Sequence, residues 1–135
     1  MKFVLDGDQR DFASALDSLL ASSDTPAVAR AWANGDSAPG LRLWARLVEL
    51  GVTSLATDAS PVEVCIAFEA LGRHAVPGPW VEAAAYLPLA LGHEVDGIAT
   101  LALPPLVPYA LDADVADRVV AQLTDIAALG GEDAT

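Results

Sequence analysis

Apolar residues recur along this chain at helical spacing, and capping and turn signals interrupt them at intervals. Asp6-Gly7-Asp8-Gln9 reads as a capping box, in which the Asp6 side chain accepts from the amide three residues on and Gln9 returns the bond. Phe12, Leu16, Leu19 and Leu20 then fall on one face, so a first helix is predicted, ending at Ser22-Ser23-Asp24. Thr25-Pro26 opens a second, since proline at the first helical position forgoes no hydrogen bond. That helix carries Val28 and Trp32 and stops at Asn34-Gly35. A third starts at Pro39, with Leu41, Trp44, Leu47 and Val48 on its expected inner face and Gly51 as its cap.

The clearest start signal is Ser60-Pro61-Val62-Glu63, which joins an N-cap serine, an early proline and a capping glutamate. Val64, Phe68 and Leu71 form the expected inward face, and Gly72 is expected to end the helix. Arg73 and His74 follow, where positive charge suits a helix C-terminus. After the bend Val76-Pro77-Gly78-Pro79, a fifth helix is predicted from about Trp80 to Leu91, kinked or shortened by Pro88. The texture then changes. Ile98 to Leu103 is a short apolar run closed by Pro104-Pro105 and reads as a strand, and Val107-Pro108-Tyr109 reads as extended. Residues 115–129 stay open by period. Val115, Val119, Leu123 and Ile126 fit a helix face, while Arg118 to Leu123 and Ile126 to Leu129 fit two strands around Thr124-Asp125.

Composition narrows the function classes. The chain has 135 residues, 53% of them hydrophobic, and a formal net charge of −12 with seven Lys and Arg in all. Nucleic acid and anionic membranes need basic patches and are excluded as expected partners. No apolar run approaches the ~18 residues of a membrane span, and the early acidic residues do not suit a secretory signal. A cytoplasmic location is expected. The single cysteine, Cys65, lies among apolar neighbours with no activating cation nearby in sequence, and is expected to be a small buried hydrophobe.

Candidate chemistry is sparse. Glu63, Glu69 and Glu82 are the carboxylates nearest the apolar segments, and capping or solvated helix faces account for them better than catalysis does. His74 reads as a charge at a helix end or a partner contact, and with His93 it shows no metal-ligand spacing. Trp32, Trp44 and Trp80 read as core or interface. No phosphate-cradling glycine motif is present. No residue is therefore nominated as catalytic or metal-binding.

Four stretches in this order resemble the acyl-CoA dehydrogenase family: FVLDGDQRDFASALDSLLA, LWARLVELGVTSLA, PVEVCIAFEALGRHAVPGPWVEAAAYLPLAL and ATLALPPLVPYALDADVADRVVA. Together they cover roughly residues 1 to 123. The Gly72-Arg73 and Pro77-Gly78-Pro79 pattern is most similar to the actinobacterial steroid-type enzymes, a branch that often uses paired, unlike subunits. The resemblance implies a mainly α fold, with an amino-terminal helical bundle over 1–96 and the beginning of the family's middle β-domain over 97–135. It implies α,β-desaturation of an acyl-CoA or steroid-CoA thioester with FAD, a cofactor that carries the redox chemistry while protein orients it. At the β-domain entry it makes Ala102 and Leu103 the candidate cofactor-binding residues, although Pro104 removes a donor amide. It favours extended structure from Arg118 to Leu123. The catalytic base of the family lies in a later helical domain, and the family's glycine-rich loop is replaced by Leu55 to Ser60, so an incomplete acyl pocket is expected. The phosphates of CoA call for a basic group outside the segment, or for backbone amides. Apolar strand edges from Ile98 onward call for a homo-oligomer or a second dehydrogenase-like subunit. FAD is expected in the assembled enzyme and not in this segment alone.

Overall fold

The computed structural model describes residues 3–121. It is mainly helical: α1 (Gly7–Ala21), α2 (Thr25–Ala33), α3 (Ala38–Glu49), α4 (Leu55–Asp58), α5 (Pro61–Arg73) and α6 (Leu87–Leu91), followed by short strands β1 (Ala99–Leu101) and β2 (Arg118–Val120). A 3₁₀ turn at Val52–Ser54 precedes α4, and a π-helical turn at Glu82–Tyr86 leads into α6. The chain forms two compact units. One joins the residues up to Val52 with Ala59–Pro77, and the other joins Thr53–Asp58 with the described residues from Gly78 onward. The residues from Gly78 onward belong to the second unit because Leu87 shares a core with Ala99 and Leu101.

In the first unit, α1 and α5 lie side by side. Both predicted capping boxes form. The Gln9 amide donates to Asp6 Oδ1 at 2.8 Å and the Asp6 amide to Gln9 Oε1 at 3.0 Å, while Ser60 and Glu63 repeat the exchange at the start of α5. Gln9 Nε2 also donates to Glu63 Oε1 at 3.1 Å, which couples the two boxes. At the other end, Asp17 of α1 meets Arg73 and His74. Start meets start and end meets end, so the two helices run parallel.

The buried faces match the expected ones in part, with Trp44, Leu47 and Leu71 buried as expected. On α3 the inner stripe is Gly40, Leu43, Trp44 and Leu47, and Leu41 and Val48 are exposed. On α5 it is Ile66, Ala67, Ala70 and Leu71, with Val64 and Phe68 only half-buried. In both helices small residues share the inner face, at positions that a period traced through large side chains passes over. Gly40 shows why: its Cα lies under the Trp32 indole, and an added Cβ would stand 2.6 Å from Trp32 Cζ3. Gly72 does not end α5 either. The helix runs on to Arg73 and closes in a Schellman turn, with Val76 N–H donating to Leu71 O at 3.0 Å and Ala75 N–H to Gly72 O at 3.1 Å. The left-handed residue of that turn is Ala75, at φ 50°.

The second unit is built on Leu87, Val95, Ala99, Leu101 and Val120, with Leu91 and Leu103 half-buried against them. The fifth predicted helix does form from Trp80 onward, but its middle widens. The Leu87 N–H reaches back five residues to Glu82 O. Pro88 supplies the reason, since its ring crowds the carbonyl four residues earlier and it lacks an N–H. Gly92, at φ 79°, closes the helix.

β1 and β2 pair in parallel, with Thr100 opposite Val119. Asp117 secures the entry: its Oδ2 accepts from Ile98 N–H at 2.8 Å while its own N–H donates to Ile98 O at 2.8 Å. The strand expected at Arg118 therefore forms over Arg118–Val120, and no continuous helix runs from Asp114 through the described residues to 121. The remainder of the expected strand, and the segment 126–129, lie outside the described residues. The run Ile98–Leu103 is a strand over Ala99–Leu101 only; Leu103 bonds instead across a tight turn to Val107.

Two substitutions of opposite sign test this account of the first unit. Gly40→Ala forces a methyl into the Trp32 ring and should destabilise the fold by about 1–3 kcal/mol. Ala75→Gly relieves the left-handed alanine and should stabilise it by about 1 kcal/mol. Urea melts of the two variants beside the parent check both; a neutral or reversed pair contradicts the packing described.

Candidate functional site

Ala102 and Leu103, the candidate cofactor-binding residues, follow β1 directly. Ala102 is buried and its N–H donates to Val120 O at 2.8 Å. Leu103 is half-buried and its N–H donates to Val107 O at 2.6 Å. Pro104 and Pro105 have no N–H. Both amides of this stretch are thus taken up by the protein's own backbone, and the segment offers a ligand no donor from Ala102 to Pro105.

Beyond it the surface is apolar. Leu106 is 89% exposed and Tyr109 84%, with Val107, Leu111 and Val119 also open. A neighbouring run of this kind is the sort of surface that soluble proteins cover. Inside the sheet, Thr100 is fully buried and its hydroxyl has no hydrogen-bond partner among the described residues.

The titratable residues are mostly structural. Glu63 accepts from the Ser60 hydroxyl, from Gln9 and from the Ser60 amide, and these bonds, Ser60's first, hold its carboxyl below the usual range. Glu69 pairs with Arg73 one turn on, at 3.0 Å and in the open. His74 caps α5 and its Nε2 lies 2.7 Å from Asp17 Oδ1. An ionised carboxylate only accepts, so Nε2 carries the proton. That hydrogen bond is the largest effect and, with lesser attraction from His74 and Arg73, pulls Asp17 below the ordinary carboxylate range in spite of its desolvation. His93 donates from Nδ1 to the Glu94 carbonyl at 2.9 Å, and Glu94 in turn accepts from the buried Thr53 at 2.5 Å. Trp44 and Trp80 are buried and Trp32 is half-buried. Cys65 is exposed, contrary to the expectation of a buried thiol: with Ile66 and Ala67 inward, the helix turns its neighbour out. Among the described residues no cluster of three or more His, Cys, Asp or Glu could hold a metal ion, and no helix is long and apolar enough to cross a membrane.

One feature escaped the sequence reading. A groove of about 570 Å³ lies between α2 and α3, floored by Val28, Ala31 and Leu43 and flanked by Arg42 and Arg46. Arg46 Nη1 donates to Ser23 Oγ at 3.1 Å. The arginines stand four apart, a spacing visible in the sequence, but the opposing face comes from another helix.

Comparison with family models, with curated proteins and with solved structures finds no match for this chain.

Asp17 and Glu63 contribute to the loss of stability in acid. Both folded carboxyls titrate below their unfolded values, so their contribution is complete above the ordinary carboxylate range and is lost as pH falls through the folded values. Asp17→Asn and Glu63→Gln should each lower stability at neutral pH and flatten its decline below about pH 4. Denaturant midpoints measured across that range check this; parallel curves for parent and variants count against it.

Proposed function

We propose that this chain is part of, or a subunit in, a FAD-dependent acyl-CoA dehydrogenase that desaturates an acyl-CoA or steroid-CoA thioester. Its role is that of helical scaffold and β-domain entry, in association with a second dehydrogenase-like subunit or a further copy of itself. The observation that carries this reading is β2. Period leaves helix and strand open after Val115, the family resemblance favours a strand from Arg118, and a strand is found at Arg118–Val120. The order of elements supports it further, with capped helices leading through a Pro-Gly-Pro bend into a last helix and then strands.

The base that abstracts the α-proton is assigned to another part of the assembly. The two described carboxylates whose pKa values are displaced, Asp17 and Glu63, are displaced downward, whereas a base working near neutral pH needs the opposite. FAD, which would accept the β-hydride, is likewise assigned to the assembly, since the amides of Ala102 and Leu103 are already bonded. The same bonding favours a second reading, a non-catalytic helical subunit supporting a catalytic partner chain. The apolar surface at Leu106, Tyr109 and Leu111 suits either partner.

Purification from native cells, with intact mass, visible spectrum and acyl-CoA oxidation measured, tests the proposal. The isolated chain should be colourless and inert, and its complex yellow and active. Stoichiometric flavin and turnover in the chain alone would overturn the scaffold role. A colourless chain with no partner would overturn the dehydrogenase reading. A partner that keeps full flavin and activity without this chain would select the supporting subunit.

A further inference from the structure

We propose that the groove between α2 and α3 binds a single-tailed amphiphilic anion, an aliphatic carboxylate or phosphate monoester. The tail lies along Val28, Ala31 and Leu43, and the head group sits between Arg42 and Arg46. This site is separate from the dehydrogenase reading and does not rest on it.

Charge makes the argument. A chain of net charge −12 has seven basic residues, and two of them stand one turn apart on α3 at the edge of one groove. Among the described residues the ion pairs are made by Arg73 and His74, not by these two. Arg46 uses one donor on Ser23, and a guanidinium has five. Like charges at this spacing destabilise a helix, and an anion lying between them reverses the sign. Asp24 is the one carboxylate in the lining and is outnumbered. The groove's apolar floor, its few polar groups and its volume of about 570 Å³ suit a small amphiphile. Arginine's planar fork matches carboxylate and phosphate oxygens alike.

The full chain is titrated with decanoate and with decyl phosphate, each below its micelle concentration, followed by calorimetry and amide NMR. Saturable one-site binding is expected, with shifts centred on α2 and α3; the tighter of the two probes identifies the head group. Decanol and decyltrimethylammonium should bind at least about tenfold more weakly, and Arg42→Gln/Arg46→Gln should weaken decanoate by a similar factor. Ala31→Leu, which fills the floor and keeps both charges, should also weaken it and decides the matter if the double variant does not fold. The proposal is overturned if neither anion binds saturably, if decanol binds as tightly as decanoate, or if a folded variant of either kind binds as the parent does. Capture of an acidic peptide with neither anion bound would overturn it in favour of a protein partner.

Discussion

The first unit depends on one constraint: α1 and α5 run parallel, so their like ends meet. Each helix carries partial positive charge at its start and partial negative charge at its end, and a parallel pair brings like partial charges together. The chain answers at both ends. At the starts, the carboxylates of Asp6 and Glu63 face the free amides and are joined through Gln9. At the ends, the Arg73 guanidinium and the His74 imidazole both meet the Asp17 carboxylate beside the two carbonyl termini. The clamp explains why the displaced carboxylates are Asp17 and Glu63: each sits where the helix pair concentrates opposite charge or donors.

Helix starts were legible in the sequence because a capping box is a local exchange between residues three apart. Asp6 with Gln9 and Ser60 with Glu63 need no knowledge of the rest of the chain. Helix faces were less so. The inner stripes of α3 and α5 are set by close approach at Gly40, Ala67 and Ala70, and a period traced through large side chains passes such positions by. Cys65 stands outside for the same reason, one residue from the stripe of Ile66 and Ala67. Gly72 marks an end for α5 one residue early, since the left-handed turn is taken by Ala75. The π-turn was foreshadowed by Pro88 only as a disturbance, not as its particular form.

The candidate site was legible to a smaller degree. Ala102 and Leu103 were nominated through family resemblance alone, and the use of their amides by Val120 and Val107 depends on a strand and a turn that residue order does not reveal. The groove beside Arg42 and Arg46 belongs to two helices at once. A single-helix reading sees two arginines on a surface and finds no apolar floor beneath them.

Parallel pairing also has a consequence in time. Parallel helices cannot be joined by a short turn, and here the α2–α3 hairpin provides the return path, with its own ends linked locally through Asn34 to Ser37. On a ribosome adding about 5–20 residues per second, α1 is complete roughly 3–10 s before its partner α5 has been made. For that interval Leu16 and Leu20, fully buried in the finished protein, have no α5 to lie against. Of this pair α1 is therefore made first, and its apolar face stays uncovered by α5 throughout that interval.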